Sequence, residues 1–559
     1  MNRRALRTLS ALPVVLLAAT ACQPGRNAAA DTSSRVTVQP AAAASTSAAA
    51  PSTSAPAEAA ANSASTAWIT FAGNHLTYGS DSQGNRIPDF SYAGYANGKS
   101  PLPTAPVAVT LQPDPTGDDT ARIQAALAKV GALPLAPDGL RGAVLLAPGT
   151  FRLAGALTIS ASGVVLRGSG SGPSGTRLVA TGAPRAVVTL AGTGQRQAAG
   201  PKVAVTDAYV PIGATTFHVA STAGLKVGQN VVVQRPQEQN WIHAIGMDKI
   251  PQRSSGGTVQ WKPDTGLQFE RTITAISAST NTVTIDIPLT NALEKQYTHA
   301  VLWPYTFPGR ITNVGVEHLS ADGLAFTTAP NYATQGYFQS AFASFGAVDG
   351  GWARDIVADD FGSGMGDVGE SAKRVTIEDT SALGMEKAIP QDIHAQPVAY
   401  TLAGQQSLVL RCQVSGSNLH AWATQALTAG PNVFSDCTAT DVGGKRFDAG
   451  PHQRWASGTL YDHLVMRDGN GGTSPTELSL IDRNNEGSGQ GWAGATQVAW
   501  NTDTGTYAFQ SPPTSYNWDF GALGKASAPL VPGFPAVTVS AGTPVAPVSL
   551  YAEQLAERQ

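Results

Sequence analysis

Three short phrases in the second half of the chain carry side chains able to do chemistry. They are His420-Ala-Trp422-Ala423, His452-Gln-Arg454-Trp455-Ala456 and Gln490-Gly-Trp492-Ala493. Lys445, Arg446 and Arg483 fall between them. Imidazole titrates near neutral pH and moves protons as acid or base. Arginine and lysine neutralise a carboxylate and stabilise charge that develops in a transition state. Indole offers an apolar face to a sugar ring. Together they fit β-elimination on a polymer of uronic acids. His420 or His452 would be base or acid, and Arg454 the carboxylate clamp. Trp422, Lys445, Arg446, Trp455, Arg483, Gln490 and Trp492 would bind substrate. The opposing reading is that the His and Arg hold loop carbonyls and the Trp fill space beneath them, with Lys445-Arg446 a solvated turn.

Hydrolysis of a glycan would instead need two carboxyl groups, roughly 5–9.5 Å apart. Asp355, Asp359, Asp360, Asp367 and Glu370 gather in one stretch and could supply them. Asp359, Asp360 and Asp367 are also groups that Ca²⁺ takes, the alternative being exposed turns; no metal site is assigned. Asn501-Thr-Asp503 resembles the Asn-Thr-Asp of polygalacturonase-type hydrolases. Its companions do not match: Asp359-Asp360 comes first, Ser488-Gly-Gln490-Gly stands where Gly-His-Gly belongs, and no Arg-Ile-Lys follows. The match is read as chance. A glycan-binding surface protein without catalysis is the third function class left open.

Such groups act together only if the fold stacks them. Repetition at these intervals is what solenoid coils produce, since each coil sets equivalent positions over one another. The chain around the phrases consists of β-like runs ending in Gly, Asn or Asp, among them Ile311–Glu317, Trp352–Ala358, Arg374–Asp379, Ser407–Cys412, Asn432–Cys437, Thr459–Leu464 and Gln497–Asn501. Composition agrees: 559 residues with 59 Gly and 13% charged residues suit short strands and tight turns rather than a helical bundle. A formal net charge of −3 gives no electrostatic case for nucleic acid.

Upstream, Gly117-Asp118-Asp119-Thr120 followed by Ile123-Gln-Ala-Ala-Leu127 predicts a capped helix burying Ile123 and Leu127. Ala147-Pro-Gly-Thr-Phe151, Val164-Val-Leu-Arg-Gly-Ser-Gly170 and Gly175-Thr176 follow. This 114–178 block resembles the N-terminal cap and first coils of the pectate-lyase-like superfamily. The resemblance implies a right-handed parallel β-helix, all-β, with a capping helix. It does not imply one reaction, because the fold hosts lyases, hydrolases, epimerases and phage tailspikes. The Arg-x-Pro-x-x-Arg phrase of one pectate lyase family is absent, so no family catalytic motif transfers.

Residues 1–22 read as an export signal: Arg3, Arg4 and Arg7 precede an apolar run too short to span a bilayer. Leu17-Ala-Ala-Thr-Ala-Cys22 resembles a lipobox, which makes Cys22 a lipidation site and a lipid anchor the one membrane contact expected. Ordinary cleaved secretion is the alternative. Residues 23–66, rich in Ala, Ser, Thr and Pro, read as a disordered tether. Cap and first coils then span 67–202, a β-rich insert 203–303, the main β-helix 304–520, and a capping or trailing tail 521–559. The insert, with Trp241, His243, Trp261 and Lys262, is a groove wall or decoration. Cys412 and Cys437, at matching places in two successive runs, stack either as a free interior pair or as a disulfide. The whole reads as an exported, periplasmic or surface-anchored protein, monomeric because a capped solenoid needs no partner, acting on polysaccharide, with Ca²⁺ the one cofactor left open.

Overall fold

The computed structural model describes residues 68–254, 256–389, 397–444, 446–469 and 476–559. The lipobox, the tether and Lys445 lie outside the described residues. Twenty-eight strands form one continuous parallel sheet wound into a right-handed β-helix. Register shows how the winding works. Val144, Leu166, Val316, Ala353, Ile377, Val409, Phe434, Tyr461 and Ala499 lie one above another on successive coils, and all are buried. Parallel strands lie roughly 4.8 Å apart, so this column is one unbroken apolar file along the axis. Its next position is Asp519, a fully buried carboxyl in the last coils.

The runs end in Asn, Asp and His for a conformational reason. His318, Asp355, Asp379, Arg411, Asp436, His463 and Asn501 occupy the same corner of consecutive coils, and each has φ between 48° and 58°. Left-handed backbone of this kind is sterically costly for most residues, and Asn, Asp and His tolerate it better than most. The corner side chains pair along the column. His318 Nδ1 lies 2.8 Å from Asp355, Arg411 Nε 2.6 Å from Asp379, and His463 Nδ1 2.8 Å from Asp436.

The N-terminal helix, Thr120–Gly131, buries Ile123, Ala126, Leu127 and Val130 against the first coils. Its cap is looser than expected. The Asp119 side chain accepts no backbone N–H of the first turn and pairs instead with Arg122 at 2.6 Å, while Asp118 accepts from the amides of Thr120 and Ala154. At the other end the tail does not trail. It adds the strands Leu523–Ala526 and Val537–Val539 and the helix Leu550–Arg558. Buried Asp462 accepts from the amides of Leu550 and Tyr551 at 3.0 and 3.2 Å, holding the N-terminus of that helix. Gln554 then reaches Phe90 and Tyr78, so the tail packs on the same flank as the first described residues.

Between Gln197 and Thr306 the chain leaves the coils and builds a separate antiparallel sheet of seven strands. This insert is locked to the flank by a buried ion cluster. Glu270 receives Arg310 at 2.7 Å, Arg196 at 2.9 Å and Lys373 at 3.2 Å, with the Tyr305 hydroxyl at 2.6 Å. Burial pushes the Glu270 carboxyl up, but Lys373, Arg310 and Arg196 outweigh it and hold it well below the ordinary range. Cys412 and Cys437 are disulfide-bonded across adjacent coils, with Cα atoms 4.6 Å apart.

Two outcomes follow. Asp379→Asn or Asp379→Gly should change stability by under about 1 kcal/mol, whereas Asp379→Val should cost about 1–2 kcal/mol more, because a β-branched residue resists φ near +53°; equal chemical-denaturation midpoints for all three would refute the corner argument. Burial raises Asp519 from 3.8 to about 7. The folded state therefore binds more protons than the unfolded chain between those values, and stability falls as pH rises from about 4 to 7. Asp519→Asn should raise the melting temperature at pH 8 and leave it unchanged at pH 4, as thermal scans at both values would show.

Candidate functional site

The strand Leu419–Thr424 pairs with Phe447–Pro451, which pairs with Thr476–Leu480, which pairs with Asp503–Phe509. One file of side chains runs across these four strands: His420, Asp448, Glu477 and Thr506. The coils here are of nearly constant length, with a separation of 28 from His420 to Asp448 and of 29 from Glu477 to Thr506. His420, Asp448 and Glu477 of this file form the floor of a cavity of about 230 Å³. Its sides are Arg446, Ser479, Ile481, Arg483, Glu486, Ser527 and Leu530.

The polar groups of the cavity are held in a connected order. His420 donates from Nδ1 to Asp448 Oδ1, and Arg446 Nε donates to Asp448 Oδ2 at 3.0 Å. Asp448 is buried, which pushes its carboxyl up, but His420, Arg446 and Arg483 prevail and hold it far below the ordinary carboxylate range. It is therefore a fixed anion that orients the His420 ring. The Arg483 guanidinium sits 2.9 Å from Glu486 and donates to the carbonyl of His452 at 2.6 Å. Arg446 lies 3.5 Å from Glu486, with nearly half of its side chain open to solvent. Glu477 is surrounded by hydroxyls: those of Ser479, Thr506 and Ser527 all point to it.

His452 stands behind this file. Its ring meets that of His420 edge to face, with centroids 4.8 Å apart, and the Gln490 amide nitrogen donates to its Nε2 at 3.3 Å. Burial, then the charges of His420 and Arg483, hold it neutral well below the usual histidine range.

The structure redistributes the groups expected from sequence. His420, Arg446 and Arg483 line the cavity, and His452 and Gln490 back it. The three phrases do not form one ladder. The second and third are neighbours, since Trp455 N donates to Trp492 O at 2.9 Å and Ala456 N to Ala493 O at 3.0 Å. The first lies on a strand whose partner ends just before His452, so His420 faces Asp448 instead. The sugar-stacking role of the tryptophans is corrected by burial: Trp422, Trp455 and Trp492 are 0%, 0% and 2% exposed. Trp422 points into the coil interior and donates to Cys412 Sγ. Trp455 packs edge-on against Trp241 of the insert, centroids 4.9 Å apart, and donates to Asn291. Trp492 lies in the same apolar cluster beside Met247. The repeated Trp of the second and third phrases is thus the surface on which the insert docks. Arg454 is corrected as clamp too. It donates to the carbonyls of Gly489 and Ser488 at 3.2 and 3.1 Å, fastening a loop outside the cavity.

The acidic stretch upstream is spent elsewhere. Asp360 pairs with Lys387 at 3.2 Å and Asp355 with His318. No group of three His, Cys, Asp or Glu converges as metal ligands among the described residues. Asn501 holds the carbonyls of Val545, Pro547 and Val548, a structural use of the Asn-Thr-Asp phrase. The residues missed from sequence are Asp448, Glu477 and Glu486. Stepping from His420 one coil length at a time, rather than from Trp to Trp, would have reached the first two.

No family model and no curated protein matches this chain. Solved structures similar to it include the tailspike gp49 of Pseudomonas phage LKA1, at 13% identity and TM-score 0.36, covering 73% of this chain and 70% of that one. The A-module of the mannuronan C-5 epimerase AlgE6 of Azotobacter vinelandii has 12% identity and TM-score 0.31, covering 78% and 97%. The Gp54 tailspike of Acinetobacter baumannii bacteriophage AP22, solved with a capsular saccharide, has 8% identity and TM-score 0.26, covering 73% and 75%. Likeness this distant says nothing of a reaction, and the fold rests on the strand register itself.

Trp455→Ala should cost about 3–5 kcal/mol by opening a void between insert and coils. Hydrogen exchange should show protection lost first in strands Asn230–Gln237 and Asp264–Ser277; uniform loss over the coils would mean that the indole does not fasten the insert.

Proposed function

We propose that this protein is a carbohydrate-active enzyme that cleaves a uronic-acid polymer by β-elimination in the cavity floored by His420, Asp448 and Glu477. The observation that carries the reading is the His420–Asp448 pair, with half-exposed Arg446 beside it. A carboxylate on Nδ1 fixes the tautomer and leaves Nε2 as the basic nitrogen. Nε2 would take the C5 proton while Arg446 neutralises the neighbouring sugar carboxylate and stabilises the enolate-like charge. The C4–O4 bond then breaks as the C4=C5 double bond forms, and the leaving oxygen takes the proton that His420 Nε2 has accepted. His452, held neutral behind His420, keeps a second positive charge away from the base.

One observation favours hydrolysis as the second reading: Asp448 and Glu477 are carboxyls in register on adjacent strands. Asp448 has one oxygen committed to the His420 ring and the other to Arg446, and Glu486 is paired with Arg483, which leaves Glu477 without a second free carboxyl to work against. Elimination therefore ranks first. The N-terminal Arg residues, apolar run and Cys22 support an exported, lipid-anchored protein reaching its polymer outside the cytoplasm.

A panel of acidic polysaccharides should give product with new ultraviolet absorbance from the double bond. His420→Ala should lower turnover by roughly 10²–10⁴-fold, and Arg446→Ala by roughly 10²–10³-fold. Reducing ends without that absorbance would establish hydrolysis instead, and full turnover by His420→Ala would remove the proposed base.

A further inference from the structure

The tryptophans expected to stack a pyranose ring are buried, and Phe447 in the cavity lining is 0% exposed. The tail supplies a different aromatic face. The segment 527–535, Ser-Ala-Pro-Leu-Val-Pro-Gly-Phe-Pro, borders the cavity: Ser527, Ala528 and Leu530 are part of its wall. Leu530 is 52% exposed and Phe534 is 47% exposed, two large apolar side chains close together in the chain. Phe534 stands edge-on against Trp492, centroids 5.3 Å apart. Trp492 in turn bridges to Asp482, which sits between the cavity residues Ile481 and Arg483. Phe534 thus follows Leu530 of the cavity wall by four residues and packs on Trp492, whose bridge partner Asp482 separates two cavity residues.

Two features mark this segment as built rather than loose. Gln510 donates to the carbonyls of Val531 and Gly533 at 2.8 and 2.6 Å, and the Ser511 amide donates to Phe534 O at 2.8 Å. Phe534 itself has φ +56°. A bulky residue in left-handed backbone is an outlier, and such strain collects at ligand-binding sites. Glycine would take that conformation without strain and would expose no apolar ring to solvent. The chain carries a phenylalanine there, at a conformational and a solvation cost, beside a polar cavity.

We propose that Phe534, with Leu530, is a stacking subsite for the sugar ring next to the one held over His420 and Asp448. The inference rests on the reading of the cavity as a glycan site and adds to it the residues that position the polymer. The C–H face of a pyranose would lie on the Phe534 ring, its polar rim directed toward Arg483 and Ser527.

The test compares full-length wild type with Phe534→Gly, Phe534→Tyr and Leu530→Ser on the polymer that wild type cleaves best. Phe534→Gly should raise KM roughly five- to tenfold, the size of one aromatic contact, with kcat little changed. Its melting temperature should not fall, because the left-handed strain is relieved. Phe534→Tyr should restore KM, and Leu530→Ser should raise it less. Unchanged KM in Phe534→Gly would overturn the subsite while leaving the cavity reading intact. A lowered melting temperature with KM raised equally in Phe534→Tyr would also overturn it, by showing that the ring only covers Trp492. If wild type cleaves and binds no acidic polysaccharide, by turnover and by affinity electrophoresis, the cavity reading and the subsite fall together.

Discussion

Each coil is hydrogen-bonded to the next in parallel register, and a side chain's neighbours are therefore decided by coil length rather than by distance along the chain. Strand spacing is fixed at roughly 4.8 Å. An insertion within a strand of one coil moves every later residue of that strand off its partner. This is how the interior file from Val144 to Ala499 stays apolar over so many windings, and how the corner file from His318 to Asn501 stays left-handed. The same rule sets His420 over Asp448 and Asp448 over Glu477. The cavity is a local consequence of register, not a separate device laid on the fold.

A chain with few charges cannot spend them freely, and the buried ones are used in sets. Glu270 is held by three cations and a tyrosine hydroxyl at the root of the insert. Glu317 takes Arg167, Arg354 and the Trp352 indole in a second such set. Buried carboxylates of this kind are tolerable only when paired and hydrogen-bonded. Asp448 follows the rule too, but with a difference: one of its partners is a histidine and another is a half-exposed arginine. Where the other sets close on themselves inside the protein, this one keeps titratable and cationic groups at a surface opening. That difference marks it as the candidate site.

The architecture was legible in the sequence because its signals are local. Short alternating runs, Gly, Asn and Asp at run ends, and the Asp118–Leu127 and Ala147–Phe151 phrases each report on a few adjacent residues. The insert was legible as a β-rich stretch at 203–303, and its antiparallel sheet runs from Gln197 to Thr306. The site was legible only in part. His420, Arg446 and Arg483 were within reach because their side chains are chemically conspicuous. Asp448 and Glu477 were not, because an aspartate in Phe447–Pro451 looks like any strand-end carboxylate until register places it beside a histidine of the preceding coil. The tryptophans misled for a related reason. A repeated aromatic at a coil corner can face solvent, interior or another domain, and nothing in its spacing separates those. The structure shows Trp422 inside the coils and Trp455 and Trp492 under the insert.

The insert and the cavity are joined through the second phrase. Arg454 and Trp455 have φ of 50° and 59°, two consecutive left-handed residues that turn the chain sharply after His452. The turn sends the Trp455 indole outward against Trp241, while His452, just upstream, stays against His420. Arg454 meanwhile grips the loop whose Gln490 meets His452, and Arg253 of the insert reaches Gly487 of the same loop. Removing the insert would thus release the corner, the loop and the histidine behind His420 together. The long excursion from the solenoid is then a brace: it holds in place the turn on which the orientation of His452, and through it the surroundings of His420, depends.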